Sequence, residues 1–318
     1  MIIVVALLIS LSSLSPQAPK PVPTPAMDRA VLAMGTELCI HLEGSGDLGR
    51  ASEAALTEAA RIEAACSTWN PASSWSRLNV SQGAPVTLAR EWIDLLGQIQ
   101  TWNLRTEGAF DPVLMALIQA WGTREGGRTP GPEALAEARR ASGSSLLVLE
   151  RKDDTAQLLH PKAGVEEGGF LKGYALDAMR KVSGTSVGWM DFGGQVLAWG
   201  GPLTVDIADP QDRRLKRCTF ILQAASLSCS GTSERGKHIL DPRSGLPCPA
   251  WGSTAVVAAD GLSADVLSTT LYVLGPDQGL VWAERHEVAA AFLLNDGQIR
   301  MSRAFLSLHP TLISRENR

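Results

Sequence analysis

The sequence is poor in cysteine and carries no excess of positive charge. Its five cysteines, at positions 39, 66, 218, 229 and 248, form an odd set without a C-x-x-C pair. That set argues against a structural zinc site and does not require disulfides. Lys and Arg number 29 against 33 Asp and Glu, and the formal net charge is −4. Nothing therefore indicates bulk binding to nucleic-acid phosphates, and we expect no nucleic-acid partner.

Several catalytic signatures are also missing. No G-x-x-x-x-G-K-[ST] segment and no H-E-x-x-H segment occurs, and the five histidines are scattered, which argues against a site built from several histidines. Tyrosine and phenylalanine are scarce at two and six, whereas tryptophan is abundant at nine. The 318 residues, 45% hydrophobic and 19% charged, have an ordinary globular composition and suffice for one large domain or two smaller ones.

The first residues are typical of a leader. Residues 2–14 are apolar and uncharged, too short a run to span a bilayer, and a Pro-rich stretch covers 16–25. We expect residues 1–26 to be a signal peptide or leader with a linker and 27–318 to be the functional domain. The protein is then exported, to the periplasm or facing the cell envelope. Met27 offers a second start, and if the leader is not native the protein is cytoplasmic.

The apolar periodicity predicts an α+β fold with mixed sheets packed against helices, because helices and strands do not alternate regularly. The predicted helices span 50–66, 87–103, 112–121, 132–141, 172–182, 262–274 and 276–286, and Asp111 is expected to cap the third. The predicted strands and hairpins span 29–43 (bent at 34–36), 145–160, 187–199, 203–207, 218–223, 226–229, 252–258, 288–294 and 298–302.

Two glycine motifs occur in the wrong structural context. Residues 44–49 fit G-x-G-x-x-G, but no second strand ends in an acidic residue about 20 positions later, as a dinucleotide-binding fold requires. Residues 184–188 fit G-x-S-x-G, but a helix precedes and a strand follows, the reverse of a hydrolase elbow. Both are interpreted as turns.

Four other segments are rich in glycine or carry charged groups. In 166–174 a glycine pair precedes Lys172 at the start of a helix. This segment either suits the binding of a phosphate or simply forms a tight turn. In 191–195 a second glycine pair lies between strand-like residues, as at a ligand or in a β-bulge. Residues 238–245 place His, Asp and Arg on one loop, where they could serve as a base, an acid and an anion-binding group. The alternative is an ordinary type I turn.

The fourth segment, 264–269, opens an apolar helix. Asp265 and Thr269 lie four residues apart and so share a helix face. Both offer the hard oxygen ligands that Mg²⁺ prefers. The alternative is an N-cap Asp followed by an ordinary helical Thr.

In order along the chain, these segments resemble the FAD:protein FMN transferases, the ApbE family of flavin transferases. The resemblance covers about residues 30 to 305. Its stretches are Met34-Gly35-Thr36, Ser67-Thr68-Trp69, Ser76-Arg77-Leu78-Asn79, Gly108-Ala109-Phe110-Asp111-Pro112, Trp121-Gly122, Gly168-Gly169, Lys172-Gly173-Tyr174-Ala175, Asp177, Gly193-Gly194, His238-Ile239-Leu240-Asp241-Pro242-Arg243-Ser244-Gly245, Ala264-Asp265, Thr269 and Val273-Leu274-Gly275.

The resemblance implies an activity and assigns residues to it. Members of the family use Mg²⁺ to move the FMN half of FAD onto a Thr or Ser hydroxyl of a redox protein, releasing AMP. Asp265, Thr269 and the carbonyl of Gly169 would bind the metal, and Lys172 would face a phosphate. His238 would be the base, oriented by Asp241. Contacts with FAD are implied for Met34, Trp69, Ala109, Phe110, Asp111, Glu166 and Leu240. For Trp69 alone, core packing is the alternative to stacking on a ring of FAD.

The chain departs from the family pattern at several positions. Glu166-Glu167 stands where Asp-Leu is usual, Val113 where Thr is common and Gln195 where Asp is common. The segment between Gly231 and His238 is short and lacks an expected aromatic residue. Two other functions therefore remain: an FAD-binding carrier or assembly protein without transferase activity, and a hydrolase that splits FAD into FMN and AMP. The acceptor protein and the oligomeric state are not specified by the sequence.

Overall fold

The computed structural model describes residues 24–231 and 238–314. The apolar run 2–14, the proposed start of the leader, lies outside these residues. The described chain opens with the hairpin β1 (Ala26–Ala33) and β2 (Thr36–Glu43), paired in antiparallel register. Its turn holds Met34 and Gly35 at positive φ, which confirms the bend predicted at 34–36.

Five helices dominate the next hundred residues: α1 (Leu48–Cys66), α2 (Ser74–Asn79), α3 (Arg90–Arg105), α4 (Met115–Trp121) and α5 (Pro132–Arg140). A short sheet joins β3 (Val86–Thr87), β4 (Leu147–Glu150) and β5 (Thr155–Leu158), with a 3₁₀ turn at Ser144–Leu146. The sequence missed α2. The predicted cap at Asp111 is wrong, because α4 begins at Met115 and Asp111 instead accepts a hydrogen bond from Val113 N.

The remaining chain is mainly strands around two long helices. The helices are α6 (Leu171–Ser183), α7 (Gly261–Arg285) and a short α8 (Arg303–Leu306). The strands are β6 (Val187–Phe192), β7 (Gln195–Trp199), β8 (Pro202–Ala208), β9 (Lys216–Gln223), β10 (Ser226–Gly231), β11 (Leu240–Asp241), β12 (Leu246–Pro247), β13 (Gly252–Ala258), β14 (Ala289–Leu294), β15 (Ile299–Met301) and β16 (Thr311–Leu312).

Eight strands form one antiparallel sheet in the order β1-β2-β6-β7-β10-β13-β14-β15, and β16-β9-β8 form a smaller one. The α+β prediction is confirmed. The segment predicted as one strand over 187–199 is two strands, because Gly193 and Gly194 make a hairpin turn rather than a bulge. The break predicted between 274 and 276 is a kink in α7 at Gly275, whose φ is 75°.

Both faces of the large sheet are buried, because successive side chains along a strand point to opposite faces. Val256 and Phe292 pack beneath α7, while their neighbours Ala255 and Leu293 pack against the β8–β9 layer and Phe305. A larger core joins the first strands to α1 and α6 through side chains such as Ile40. Within the described residues, no helix has the length and apolar character needed to cross a bilayer.

Candidate active site

A cleft of about 1010 Å³ opens where the start of α6, the first turns of α7 and the ends of several sheet strands meet. The sequence-predicted site residues that line it are Met34, Trp69, Ala109, Phe110, Asp111, Glu166, Gly169, Lys172, His238, Leu240, Asp265 and Thr269. Asp241 does not line it. A separate groove of about 910 Å³ behind α6 holds none of these residues.

The cleft floor depends on how α7 begins. Asp260 caps α7 by accepting from Ser263 N at 2.7 Å, and Asp177 of α6 accepts from Gly261 N at 2.7 Å and Leu262 N at 2.9 Å. Burial raises the pKa of Asp177 to about 6, although these two hydrogen bonds oppose the shift. The cap is therefore Asp260, and interpreting Asp265 as an N-cap is wrong.

Asp265 is only 5% exposed and lies beside the start of α6. Its Oδ2 accepts from Gly173 N at 3.0 Å, and no other described residue donates to the carboxylate. Burial raises its pKa, while the charge of Lys172 and the Gly173 hydrogen bond act in the opposite direction. A buried carboxylate with one donor is costly unless a positive charge compensates it.

Gly169 and Thr269 complete the predicted metal set. A Cβ on Gly169 would lie 3.4 Å from Thr269 Oγ1 and 3.1 Å from the Phe110 ring, so the glycine backbone lies directly against the threonine. Thr269 follows Asp265 by one helical turn on α7. A carboxylate, a hydroxyl and a backbone carbonyl are all hard oxygen donors, and this donor set fits Mg²⁺.

A row of hydroxyl groups that sequence reasoning missed lies behind Thr269. Ser230 Oγ is 3.4 Å from Thr269 Oγ1 and 2.8 Å from Ser268 Oγ, which in turn is 2.9 Å from Ser228 Oγ. Ser228 and Ser230 lie on either side of the exposed Cys229 on β10, and this two-residue spacing was the only available signal. The row fixes the face of α7 that carries Thr269.

Two hairpin tips form part of the cleft rim. The β6–β7 turn is closed by Gly194 N donating to Asp191 Oδ1 at 2.8 Å. A Cβ on Gly193 would lie 2.4 Å from Thr36 Oγ1, so this turn packs directly on the β1–β2 tip that carries Met34. Burial raises the pKa of Asp191, and the charge of Lys172 opposes that shift. The charge of Lys172 therefore acts on the carboxylates of both Asp191 and Asp265. The β8–β9 loop adds Arg213 to this rim, which the sequence did not indicate.

Trp69 lines the cleft and is 62% exposed, so the core-packing interpretation is wrong. The guanidinium carbon of Arg124 lies 4.3 Å from the ring centre. Nearby, Glu167 Oε1 accepts from Thr68 N at 2.9 Å, and Glu166 Oε2 accepts from Gly168 N at 2.9 Å. Sequence reasoning missed Arg124.

The loop between α3 and α4 supplies the wall beside Gly169. Both oxygens of Asp111 are occupied, since they accept from Val113 N, Ser144 N and Oγ, and Asn103 Nδ2. Burial raises the pKa of Asp111, opposed by these bonds. Phe110 packs edge-on against Phe170 with ring centres 6.2 Å apart. Asp111 therefore holds the loop that presents Ala109 and Phe110 to the cleft.

The segment from His238 places only part of its predicted set in the cleft. His238 and Leu240 line it. Asp241 instead accepts from Arg243: Oδ1 from Nε at 2.9 Å and Oδ2 from Nη2 at 3.0 Å. The structure therefore brings Asp241 to Arg243 rather than to His238. The short segment noted before His238, residues 232–237, lies outside the described residues.

The chain is similar to known proteins in both sequence and fold. The model of the ApbE family matches residues 34–293. The chain is 27% identical over 311 residues to the FAD:protein FMN transferase of Haemophilus influenzae, covering 87% of this chain and 90% of that protein. It is similar in structure to the ApbE protein of Thermotoga maritima, with a TM-score of 0.83 and 26% identity over 89% of this chain and 99% of that one.

A second solved structure, the apo form of the Pseudomonas stutzeri flavinyl transferase ApbE, has a TM-score of 0.80 and 25% identity, covering 90% of this chain and 97% of that one. The family model covers most of the described chain and includes every residue of the predicted site. The chain therefore belongs to the ApbE family.

Proposed function

We propose that this protein transfers FMN from FAD onto a Thr or Ser hydroxyl of a redox protein and releases AMP. The observation that carries the proposal is the meeting of Asp265, Thr269, Gly169 and Lys172 at the floor of one cleft in a member of the ApbE family. The cleft is large enough for a dinucleotide, since small-molecule pockets typically measure about 300–1,000 Å³.

Asp265, Thr269 and the Gly169 carbonyl are the proposed ligands of Mg²⁺. When bound, Mg²⁺ would neutralise charge on the phosphate oxygens, and this lowers the barrier in phosphoryl-type transfer. Lys172 opposes the rise in pKa of both the Asp191 and the Asp265 carboxylate, and it lines the same cleft. Its ammonium would attract the pyrophosphate of FAD and hold it over the floor.

In the proposed step, the acceptor hydroxyl oxygen bonds to the phosphorus of the FMN half. The bond between that phosphorus and the bridging oxygen breaks, and AMP departs with the bridging oxygen. His238 takes the hydroxyl proton, because it is the imidazole that lines the cleft. The residues that line the cleft and are the proposed contacts with FAD are Met34, Trp69, Ala109, Phe110, Glu166 and Leu240.

One incubation separates transfer from the two alternatives. The protein is mixed with FAD, Mg²⁺ and a flavin-acceptor domain, then examined on a denaturing gel for covalent flavin fluorescence. A fluorescent acceptor with stoichiometric AMP supports transfer. Free FMN with AMP indicates a hydrolase, and bound, unchanged FAD indicates a carrier. Asp265→Ala tests the metal assignment in the same assay, since transfer that survives this change contradicts it.

We further propose that the protein is exported through residues 1–26 and modifies an acceptor on the far side of the membrane. The apolar run 2–14 and the Pro-rich stretch 16–25 support this. A reporter enzyme active only after export, fused after residue 26, should be active in cells. A silent fusion would indicate a cytoplasmic enzyme beginning near Met27.

A further inference from the structure

Arg124 and Glu167 together hold all three polar groups of Thr68. Glu167 Oε1 accepts from Thr68 N at 2.9 Å, and Glu167 Oε2 accepts from the Thr68 hydroxyl. Arg124 Nη2 donates to the same hydroxyl at 2.7 Å, and Nη1 donates to Thr68 O at 3.3 Å. The residue immediately before Trp69 is therefore fixed from two sides.

The two side chains also depend on each other. Glu167 is only 8% exposed, and its carboxylate lies 3.6 Å from Arg124 Nη2. Burial and the charge of Glu166 raise the pKa of Glu167, while Thr68 opposes that shift. Arg124 also donates to Glu166 Oε1 at 3.2 Å. A guanidinium shared by two carboxylates compensates the cost of keeping this charge away from water.

The same guanidinium covers one face of Trp69. Its carbon lies 4.3 Å from the ring centre, a cation–π distance. Because Trp69 remains 62% exposed, the opposite face is open, and the residue lines the cleft. The arrangement leaves one flat aromatic face available to a flat ligand ring.

Glu167 links this platform to the cleft floor. Its carbonyl accepts from Phe170 N at 3.2 Å and Leu171 N at 3.1 Å, at the start of α6. Gly169 and Lys172 belong to the same turn and the first turn of that helix. The Trp69 ring is thus held at a fixed position relative to the proposed phosphate and metal groups.

We propose that Arg124 is a positioning residue that holds Trp69 as a stacking platform for one of the two ring systems of FAD, adenine or isoalloxazine. This rests on the proposed function, because FAD is the ligand. Arg124 acts through Trp69 and Thr68 and needs no contact with the ligand itself. Glu167 is the buried counter-charge that keeps the guanidinium in place.

The test measures equilibrium binding of FAD, AMP and FMN by calorimetry, without acceptor, to Arg124→Ala, Trp69→Ala and the double variant. Each single change should weaken FAD binding about tenfold, as expected for the loss of one stacked aromatic face. The double variant should bind no more weakly than Trp69→Ala. One of AMP or FMN should weaken in parallel with FAD, which identifies the stacked ring, while the other stays unchanged.

Two outcomes overturn the proposal: unchanged FAD affinity in Arg124→Ala, or losses that multiply in the double variant, which would mean that Arg124 contacts FAD directly. Arg140→Ala, which breaks an exposed ion pair with Glu137 outside the cleft, is the matched control and should bind FAD normally. Arg124→Lys keeps the positive charge but loses the planar guanidinium with its several N–H donors. This variant should therefore fold normally and still bind FAD weakly.

A second measurement separates failure of this proposal from failure of the proposed function. In ligand-free protein, Arg124→Ala should lower the melting temperature more in the wild-type background than in Glu167→Gln, because Glu167→Gln leaves no buried carboxylate to be stranded. If the wild-type protein binds no FAD but this coupling is present, the proposed function is wrong, while the mutual support of Arg124 and Glu167 beside Trp69 stands. Equal shifts in both backgrounds would show that Arg124 and Glu167 do not support each other, which contradicts the proposal.

Discussion

Gly173 of α6 and Gly261 of α7 touch backbone to backbone. A Cβ on Gly173 would lie 2.1 Å from the Gly261 carbonyl oxygen, and a Cβ on Gly261 would lie 2.3 Å from that of Gly173. This crossing lets Gly173 N reach Asp265 Oδ2 at 3.0 Å. The glycine pair therefore positions the buried carboxylate of the proposed metal site.

Gly173→Ala should separate the two helices and weaken the site. The added methyl would meet backbone and the Asp265 Cβ at 2.9 Å, neither of which can rotate away. We expect a loss of about 1–3 kcal/mol in unfolding free energy, as overpacking usually costs, and a higher Mg²⁺ requirement for transfer. Thermal unfolding and a Mg²⁺ titration measure the two effects.

Gly46→Ala is the matched control, since a Cβ added there would have nothing within 4 Å. It should leave both measurements unchanged. A Gly173→Ala protein with wild-type stability and Mg²⁺ response would show that the close crossing does not position Asp265.

Asp265→Asn should separate stability from activity. Asn retains an oxygen that can accept from Gly173 N, and it removes a buried negative charge, so the melting temperature should stay level or rise. Transfer should fall at least about 100-fold, because a neutral amide is a poor Mg²⁺ ligand. Thr269→Val, which loses one hydroxyl, should be the milder change. Full activity of Asp265→Asn at low Mg²⁺ would contradict the metal assignment.

The proposed metal pair was predictable because its geometry is local. A four-residue spacing on one helix fixes a shared face, so Asp265 and Thr269 could be paired before any tertiary structure was known. The β1–β2 hairpin was likewise marked by the turn at Met34 and Gly35. Such features depend on the conformation of a few neighbouring residues.

Features that depend on long-range contact were not predictable. Arg124 and Glu167 are 43 positions apart, and only the tertiary fold brings both to Thr68. Asp241 differs from the prediction for a local reason. Arg243, two residues away, donates to both of its carboxylate oxygens. A sequence pattern of His, Asp and Arg does not show which of the two cationic neighbours the carboxylate will contact. Composition did not indicate the role of Trp69 either, because a residue count does not distinguish an exposed tryptophan from a buried one.

The pKa of Asp177 predicts how stability changes with pH. Burial raises that pKa to about 6, above its usual value near 4. Between these values the folded state binds more protons at Asp177 than the unfolded state does. The contribution of Asp177 to the unfolding free energy therefore falls as pH rises from about 4 to about 6 and is then level. The effect of this one group should be about 3 kcal/mol.

Urea unfolding of wild type and Asp177→Asn at several pH values from 4 to 7.5 tests this. The variant loses an acceptor for Gly261 N or Leu262 N and should be less stable throughout. The difference between the two proteins should shrink as pH rises through the window, since other carboxylates contribute equally to both. A difference that is constant with pH would show that Asp177 does not titrate as described.

His238 and Asp241 should differ sharply when each is replaced. His238 lines the cleft, and removing a general base typically costs about 10²–10⁴-fold in rate, so His238→Ala should lower kcat by at least about 100-fold while FAD affinity changes little. Asp241→Asn should change kcat by less than about threefold, because its carboxylate is bound to Arg243 outside the cleft. Single-turnover transfer with saturating FAD, beside calorimetric FAD binding, separates the two parameters. Comparable kcat losses would restore Asp241 as a partner of His238, and an FAD-binding defect in His238→Ala would assign the imidazole to substrate binding rather than proton transfer.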